Sequence, residues 1–397
     1  MEEKDNPGNR TISLPSERWR RVLPIMLLVG AMGMLVGMSL LFYRYVTQPA
    51  PLPELLIPET GRNYKPHYLF SIYGVDQPVG VTLSPDGDRL YVSETGGNRT
   101  IKMFDRDGNL LGSISPDHTK PGERAPVYLA TDNLGRLYVA DRTQQVLFVF
   151  DRDGNYLDAL LGPESTLSEH VSELTGDADS NDLFSYNHQT GEVYLQSKIG
   201  VEQKLSAPDL PIWAPLGVRF DSNGDMLVTD VSTGHHCVHQ ITMPPQWSSD
   251  PEHDFNPPNR MFANSGGGPG ELRFPNVAMA DSQGRIFISD GNNGRISVWD
   301  SQGTFLFNFG IGTGEGFVRL PRGLHIDDHD TLYVVDTVGH DIKVYDVSEP
   351  EPVYKFAFGD LGLGDGQFNY PNDIVVDISG RLYIADRENN RVQVWSY

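Results

Sequence analysis

One segment recurs six times in this chain, and this repeat constrains the fold more than any other feature. Each copy starts with a proline, passes through a tight turn and ends in an acidic residue, as in PVGVTLSPDGDRLYVSE and PNDIVVDISGRLYIAD. The copies start at Pro78, Pro126, Pro215, Pro275, Pro321 and Pro371. Further short apolar runs, separated by DG, SG, QG or NG turns, follow most copies, so that one unit holds four strands. A repeat of about 40 to 50 residues with four strands is typical of a β-propeller blade.

The turn after the acidic residue adds a second signature. In ISDGNNGRISVW and IADRENNRVQVW a strand ends in Asp, a polar turn with Asn and Arg follows, and an apolar strand comes next. This pattern resembles the NHL repeat, and the resemblance extends over residues 67–397. It implies an all-β, six-bladed β-propeller. The second copy departs from the pattern because its turn is RTQQ, and the third because Cys237 stands where later copies have Arg295 and Arg391.

The last copy reaches Tyr397 without the fourth strand of the unit. A segment before the first copy, HYLFSIYG from His67 to Gly74, has the pattern of the outer strands TFLFNFG and VYKFAFG. We therefore expect the N-terminal strand to complete the last blade. Sharing one blade between both ends of the domain closes the ring and leaves no unpaired edge.

The spacing of the copies predicts an insertion at about residues 163–213. Pro126 and Pro215 are 89 residues apart, whereas the other copies follow one another at 46 to 60 residues. The run LFSYNHQTGEVYLQ indicates a hairpin, and either this inserted hairpin or a degenerate seventh blade fills the interval. We favour six blades with an insertion that overhangs the mouth of the central channel. A second insertion, residues 243–259, is expected on the opposite face.

The segment before the repeats has a different character. Val22 to Tyr43 is a run of 22 residues without a charge, long enough to span a bilayer as a helix. A cleaved signal peptide is the alternative, but its apolar region would be shorter. Arginines are concentrated before the run, which predicts a cytoplasmic tail at residues 1–21 and an exported remainder. Residues 44–66 are rich in proline and are expected to form a stalk.

These features predict a single-pass protein of the cell membrane with a cytoplasmic N-terminus and an extracytoplasmic propeller. Gly33 and Gly37 form a GxxxG motif, a spacing that also allows two membrane helices to dimerise. Residues 67–397 carry 23 Lys and Arg against 47 Asp and Glu, a net charge of −24. Such a surface repels phosphate backbones, so nucleic acid is excluded as a partner.

Most candidate metal sites have a better structural explanation. The acidic residues that end the second strand of each unit are expected to hold turns, with Arg99, Arg295 and Arg391 as partners. HHCVH, at residues 235–239, has the i, i+4 spacing that joins two ligands on a helix, but it lies in a turn and strand. DRDGN occurs twice as a hairpin turn without the Glu of a calcium loop. DADSND, residues 177–182, has Asp where that loop needs Gly.

The channel itself offers no metal site or catalytic set in the sequence. The inner-strand positions hold Thr82, Ala130, Arg219, Met279, His325 and Val375. A single His cannot hold the zinc that some propeller lyases with similar repeats bind there. The Gly-rich runs are interpreted as loops between blades, since no helix follows to bind a phosphate. The sequence therefore predicts no catalytic residue, metal or cofactor.

The positive prediction concerns the mouth positions, which are the residues directly after each starting proline. Around the ring they are Val79, Val127, Leu216, Asn276, Arg322 and Asn372. Three consecutive blades are apolar there and three are polar, which suits an amphipathic ligand with a carboxylate or similar anion. The predicted binding residues are Tyr128, Asn276, Arg322, His325, Asn372 and Asp373.

Two classes of function fit this sequence best. The first is a membrane-anchored binding module for a protein, a glycan or a small anionic ligand, acting as a sensor, a scaffold or a component of an envelope complex. The second is a propeller enzyme of the lyase or lactonase kind that acts outside the membrane. Fold alone does not separate the two, because propellers serve both.

Overall fold

The computed structural model of the protein describes residues 30–40, 64–116, 119–167, 213–243 and 259–397, with Met26, Leu28 and three strands between residues 183 and 206. The chain divides into two compact units, Met1–Ile57 and Pro58–Tyr397. In the first unit, residues 30–40 are helical. Among the described residues, no helix combines the length and the apolar character that a membrane crossing requires.

The second unit contains six blades, each a sheet of antiparallel strands in a meander. The innermost strands are β2 (Pro78–Leu83), β6 (Pro126–Thr131), β14 (Pro215–Phe220), β20 (Pro275–Ala280), β24 (Pro321–Ile326) and β28 (Pro371–Val376). The second strands are β3 (Arg89–Glu94), β7 (Leu137–Asp141), β15 (Met226–Ser232), β21 (Ile286–Asp290), β25 (Thr331–Asp336) and β29 (Arg381–Asp386). The third strands are β4 (Ile101–Asp105), β8 (Val146–Phe150), β16 (His235–Ile241), β22 (Arg295–Trp299), β26 (Asp341–Asp346) and β30 (Arg391–Ser396). The outer strands are β5 (Leu110–Ile114), β9 (Tyr156–Gly162), β17 (Asn259–Phe262), β23 (Phe305–Phe309), β27 (Val353–Phe358) and β1 (His67–Ile72).

Several short elements lie outside this pattern. A strand β10 (Ser165–Thr166) pairs with β9, and β18 (Asn264–Ser265) pairs in parallel with β19 (Glu271–Leu272). The insertion contains β11 (Leu183–Asn187), β12 (Glu192–Gln196) and β13 (Glu202–Ser206) as a separate three-stranded sheet. In the described part of the chain, turns of 3₁₀-helix occur at Pro121–Glu123, Gly291–Asn293 and Arg387–Asn389.

Each innermost strand begins at one of the six repeat prolines, as the sequence predicts. Proline has no N–H to donate to a ladder, and the first residue of a strand is one of the few sheet positions that accept it. The side chains on both faces of the second strands are buried. The largest of the fully buried ones are Tyr91, Tyr138, Tyr333 and Tyr383. The core therefore lies between neighbouring blades.

The ring is closed by the N-terminal strand, which confirms the prediction for the last blade. β1 pairs antiparallel with β30, from His67 opposite Ser396 to Ile72 opposite Val392. Ile72 is 2% exposed, and the ring of Tyr68 meets that of Trp395 edge-on at 6.1 Å. The two ends of the domain thus share one sheet.

The order of the innermost strands settles the number of blades. Each contacts the next around the ring in the order β2, β6, β14, β20, β24, β28, and β28 contacts β2 again. Because β6 adjoins β14, no seventh blade stands between them. The predicted hairpin of the insertion is confirmed as β11 and β12, and β13 adds a strand that the sequence pattern did not indicate. β11 lies close to β9, the outer strand of the second blade.

Glycine lets the innermost strands approach one another. A β-carbon at Gly80 would lie 2.3 Å from the carbonyl oxygen of Val127, and one at Gly217 would lie 2.0 Å from that of Asn276. Gly323 makes a similarly close approach to the sixth blade. Any other residue would push the blades apart at these three positions, so the first, third and fifth blades use glycine to narrow the channel.

The acidic residues at the ends of the second strands hold the connections between blades. Each carboxylate accepts a backbone N–H from the segment just before the innermost strand of its own blade. The donor and acceptor pairs are Asp76 to Glu94, Ala125 to Asp141, Ala214 to Asp230, Arg273 to Asp290, Leu320 to Asp336 and Asn369 to Asp386. This is the turn-holding role that the sequence predicts.

The predicted arginine partners of these acids are confirmed in two blades and wrong in one. Arg295 Nε donates to Asp290, and Arg391 Nε donates to Asp386, each at 2.8 Å. Arg99 instead donates to the backbone carbonyl groups of neighbouring residues. Arg99 has a positive φ of 51°, so its position in the turn differs from that of Arg295 and Arg391, which begin a strand.

Candidate ligand-binding site at the channel mouth

The mouth positions form two arcs at the heads of the innermost strands. Val79, Val127 and Leu216 are buried on three consecutive blades. On the other three blades Asn276 and Asn372 are also buried, whereas Arg322 is partly exposed. The side chain at Arg322 is therefore the most accessible polar group of the six.

Asn372 connects the polar arc to the apolar arc. Its Nδ2 donates to the carbonyl oxygen of Val79 at 2.8 Å and to the hydroxyl of Tyr128 at 3.2 Å. Its Oδ1 accepts a longer bond, 3.4 Å, from Nη1 of Arg322. Burial raises the pKa of Tyr128 well above its usual range, and the positive charge of Arg322 opposes that rise. The phenol thus keeps its hydrogen at neutral pH and can donate it.

A buried ion pair crosses the channel below this group. Arg219 Nη2 donates to both carboxylate oxygens of Asp373, at 2.7 and 2.9 Å. Arg219 belongs to the third blade and Asp373 to the sixth, which lie opposite each other in a ring of six. Arg219 also donates to the carbonyl of Leu129 in the second blade, and Asp373 accepts the N–H of Val81 in the first. The pair therefore ties four blades together and closes the channel at this level.

Of the charged side chains in the site, Asp373 and Arg219 neutralise each other, whereas Arg322 has no charged partner among the described residues. Burial raises the pKa of Asp373, and the guanidinium of Arg219 counteracts the rise. The negative charge of Asp373 is thus matched by Arg219. Arg322 makes no ion pair with any described residue. A half-buried positive charge remains at the mouth.

Two buried polar atoms of the mouth have no hydrogen-bond partner within the described part of the chain. They are Nε of Arg322, a donor, and Oδ1 of Asn276, an acceptor. The Nδ2 of Asn276 is held by the carbonyl of Phe274 at 3.1 Å, which fixes the direction of the amide. Buried polar groups are rarely left without partners, so these two atoms indicate where a ligand or ordered water binds.

The structure brings together four of the six predicted binding residues: Tyr128, Arg322, Asn372 and Asp373. Asn276 lies at the equivalent position of the blade next to Arg322, and His325 lies three residues further along β24, where it is half-buried. The ion pair of Arg219 was not predicted from the sequence. Its signal was a charged residue at an inner-strand position, where most other blades have an uncharged one.

The structure describes two of the three other candidate motifs. In both DRDGN segments the first Asp accepts backbone N–H groups of its own turn, as a hairpin turn requires. DADSND lies outside the described residues. Within HHCVH, His235 is exposed, His236 accepts the backbone N–H of Phe274, and His239 is buried, so the three imidazoles do not converge.

The fold and the repeat define a class of protein, a six-bladed β-propeller that carries an NHL repeat. Residues 368–395 match the NHL repeat family. NHL repeat-containing protein 3 of Homo sapiens is 32% identical over 76 residues, which are 19% of this chain and 22% of that protein. Its Mus musculus counterpart is 33% identical over 121 residues, 28% of this chain and 35% of that protein. Protein brain tumor of Drosophila melanogaster is 32% identical over 88 residues, 22% of this chain and 8% of that protein. The chain thus aligns with about a third or less of each relative.

Solved structures share the fold at low identity. Virginiamycin B lyase from Staphylococcus aureus superposes with a TM-score of 0.50 at 12% identity, covering 84% of this chain and 99% of that one. A streptogramin B lyase superposes with a TM-score of 0.51 at 11% identity, covering 85% and 99%. This likeness shows a common propeller architecture.

Proposed function

We propose that this protein is a membrane-anchored, extracytoplasmic binding propeller whose channel mouth takes an amphipathic ligand with a carboxylate or similar anion. The observation that carries the proposal is Arg322, a half-buried cation without an ion pair among the described residues and with an unpartnered Nε. A carboxylate is the natural partner for such a guanidinium. The buried Val79, Val127 and Leu216 supply the apolar side.

The ion pair beneath the mouth favours binding of a ligand over its passage through the channel. The pair between Arg219 and Asp373 blocks the channel beneath the mouth, so a ligand that enters from this face meets a closed end. The unpartnered Oδ1 of Asn276 accepts a hydrogen bond, so an amide or hydroxyl donor close to the carboxylate of the ligand complements it. An N-acylated amino acid carries all three features: an apolar chain, an N–H donor and a carboxylate.

Substitution of Arg322 tests this proposal. The full-length chain in lipid nanodiscs is expected to bind N-octanoylglycine more tightly than octanoate, and octan-1-ol not at all, in isothermal titration. Arg322→Ala should lose about 2 kcal/mol of binding free energy, roughly 30-fold in affinity, because a charge-assisted hydrogen bond is lost. Its melting midpoint should stay nearly unchanged, since its one hydrogen bond in the cluster is long.

Arg319→Ala is the matched control, because Arg319 is exposed and lies three residues earlier in the chain. It should bind N-octanoylglycine like the unaltered protein. Equal affinity of the Arg322 and Arg319 variants would refute the site. Loss of both binding and stability in the Arg322 variant would assign Arg322 a structural role instead.

The anchoring part of the proposal rests on the uncharged run Val22 to Tyr43 and on the arginines before it. Alkaline phosphatase, which needs an exported compartment to fold, should be active when fused after Tyr397 and inactive when fused after Arg21. The opposite pattern would contradict the proposed orientation. Activity at neither position would contradict export of the propeller.

A further inference from the structure

The third blade holds a compact cluster of three different metal-binding side chains. Asp230 lies on β15 and Cys237 is directly opposite on β16, while His239 is two residues further along and so on the same face. All three are buried, at 2%, 3% and 6% exposure. Their ligand atoms lie within 4.8 Å of one another. The cluster is separate from the channel mouth and takes no part in the function proposed above.

Two of the three donor–donor distances in the cluster fit a tetrahedral zinc ion. Sγ of Cys237 is 3.6 Å from Nε2 of His239, and that nitrogen is 3.4 Å from Oδ2 of Asp230. Zinc binds sulfur at about 2.3 Å and nitrogen or oxygen at about 2.0 Å, so tetrahedral angles separate its donor atoms by about 3.3 to 3.6 Å. The two observed edges are those of such a tetrahedron.

The imidazole is also oriented as in a metal site. Nδ1 of His239 lies 3.3 Å from Oδ1 of Asn259, an oxygen that can only accept. Nδ1 therefore carries a hydrogen, and Nε2 faces the carboxylate and the thiol. In metal sites a histidine ligand usually donates the N–H of its other ring nitrogen to an oxygen, as His239 does here.

In three other blades a permanently charged side chain lies beside the acid equivalent to Asp230. The equivalent acid is paired with Arg295 in the fourth blade and with Arg391 in the sixth, each at 2.8 Å. In the fifth blade Nζ of Lys343 lies 4.0 Å from the acid, at the position equivalent to His239. The third blade has a thiol and an imidazole instead of these permanent cations. We propose that Asp230, Cys237 and His239 bind a zinc ion that replaces the missing positive charge.

Zinc binding releases the thiol proton of Cys237. Burial raises the pKa of Cys237 to about 12, so the thiol is protonated before the metal arrives. Zinc then forms a bond to the thiolate, the S–H bond breaks and the proton leaves to solvent. Sulfur, nitrogen and oxygen donors together suit zinc better than calcium or magnesium, which prefer oxygen alone.

Cobalt substitution tests the site directly. The full-length chain, stripped with chelator and loaded with Co²⁺, should show a near-ultraviolet thiolate-to-cobalt charge-transfer band that zinc abolishes. Cys237 is the one cysteine of the chain, so the band has a single source. Zinc should bind at about one ion per chain. His239→Ala should lower the zinc affinity by about 100-fold, because loss of a group that only orients a ligand already costs about 10- to 100-fold.

His235→Ala is the control, because His235 is on the same strand but exposed. It should bind zinc and show the cobalt band like the unaltered protein. A cobalt-loaded chain without the band would overturn the proposal, and this test needs no variant that might misfold. Equal zinc affinity in the His239 and His235 variants would overturn it as well.

Discussion

Deletion of residues 67–74 is expected to lower the melting midpoint of the propeller by about 10 °C or more. β1 supplies the outer strand of the sixth blade, and its loss exposes the edge of β30 together with Trp395. About five ladder hydrogen bonds at about 1 kcal/mol each are lost, and the ring no longer closes. Differential scanning calorimetry of the full-length chain measures both the midpoint and the cooperativity.

A deletion of equal length in the predicted stalk, residues 49–56, is the matched control. Those residues precede the domain and lie outside the described part of the chain, so this deletion should leave the midpoint within about 1 °C. Equal midpoints in the two deletions would contradict closure by the N-terminal strand. The deletion of residues 67–74 should also increase self-association, since it leaves an unpaired sheet edge.

Arg219→Met is expected to lower the free energy of unfolding by about 3 to 5 kcal/mol, because it leaves the carboxylate of Asp373 buried without its charge partner. Arg219 and Asp373 are 7% and 0% exposed. The double variant Arg219→Met with Asp373→Leu should recover most of the loss, since neither charge is then buried. Urea unfolding at neutral pH gives the free energies of unfolding of the unaltered protein, the single variant and the double variant.

The pair between Arg89 and Asp153 provides the comparison. It has a similar distance, 3.0 Å, but the side chain of Asp153 is 72% exposed. Asp153→Asn should therefore change the free energy of unfolding by less than about 1 kcal/mol. A cost of Arg219→Met as small as this would show that the ion pair does not span the channel in solution.

Much of the fold follows from local pattern. The repeat prolines begin the innermost strands, the acidic residues end the second strands, and HYLFSIYG is an outer strand because its alternation is that of other outer strands. These features repeat once per blade, so each copy supports the interpretation of the others. The third strand of the insertion, β13, has no such repeat and was not predicted.

The two polar clusters could not be predicted from the pattern of any one strand, because their members lie on different strands. Arg219 and Asp373 are 154 residues apart in sequence and lie on opposite blades. The i, i+4 spacing in HHCVH joins two ligands only on a helix. On a strand Cys237 and His239 share a face instead, and the third donor, Asp230, comes from the neighbouring strand. Asn259, which orients the imidazole, is the last residue of the second insertion, 20 residues beyond His239.

We propose above that the channel mouth holds an anionic amphipathic ligand through Arg322. An experimental structure of the protein with N-octanoylglycine tests it most directly. We expect the carboxylate within about 3 Å of Nε of Arg322 and the amide N–H on Oδ1 of Asn276. We expect the acyl chain to lie against Val79, Val127 and Leu216. A ligand bound elsewhere, with only water on Arg322 and Asn276, would contradict it.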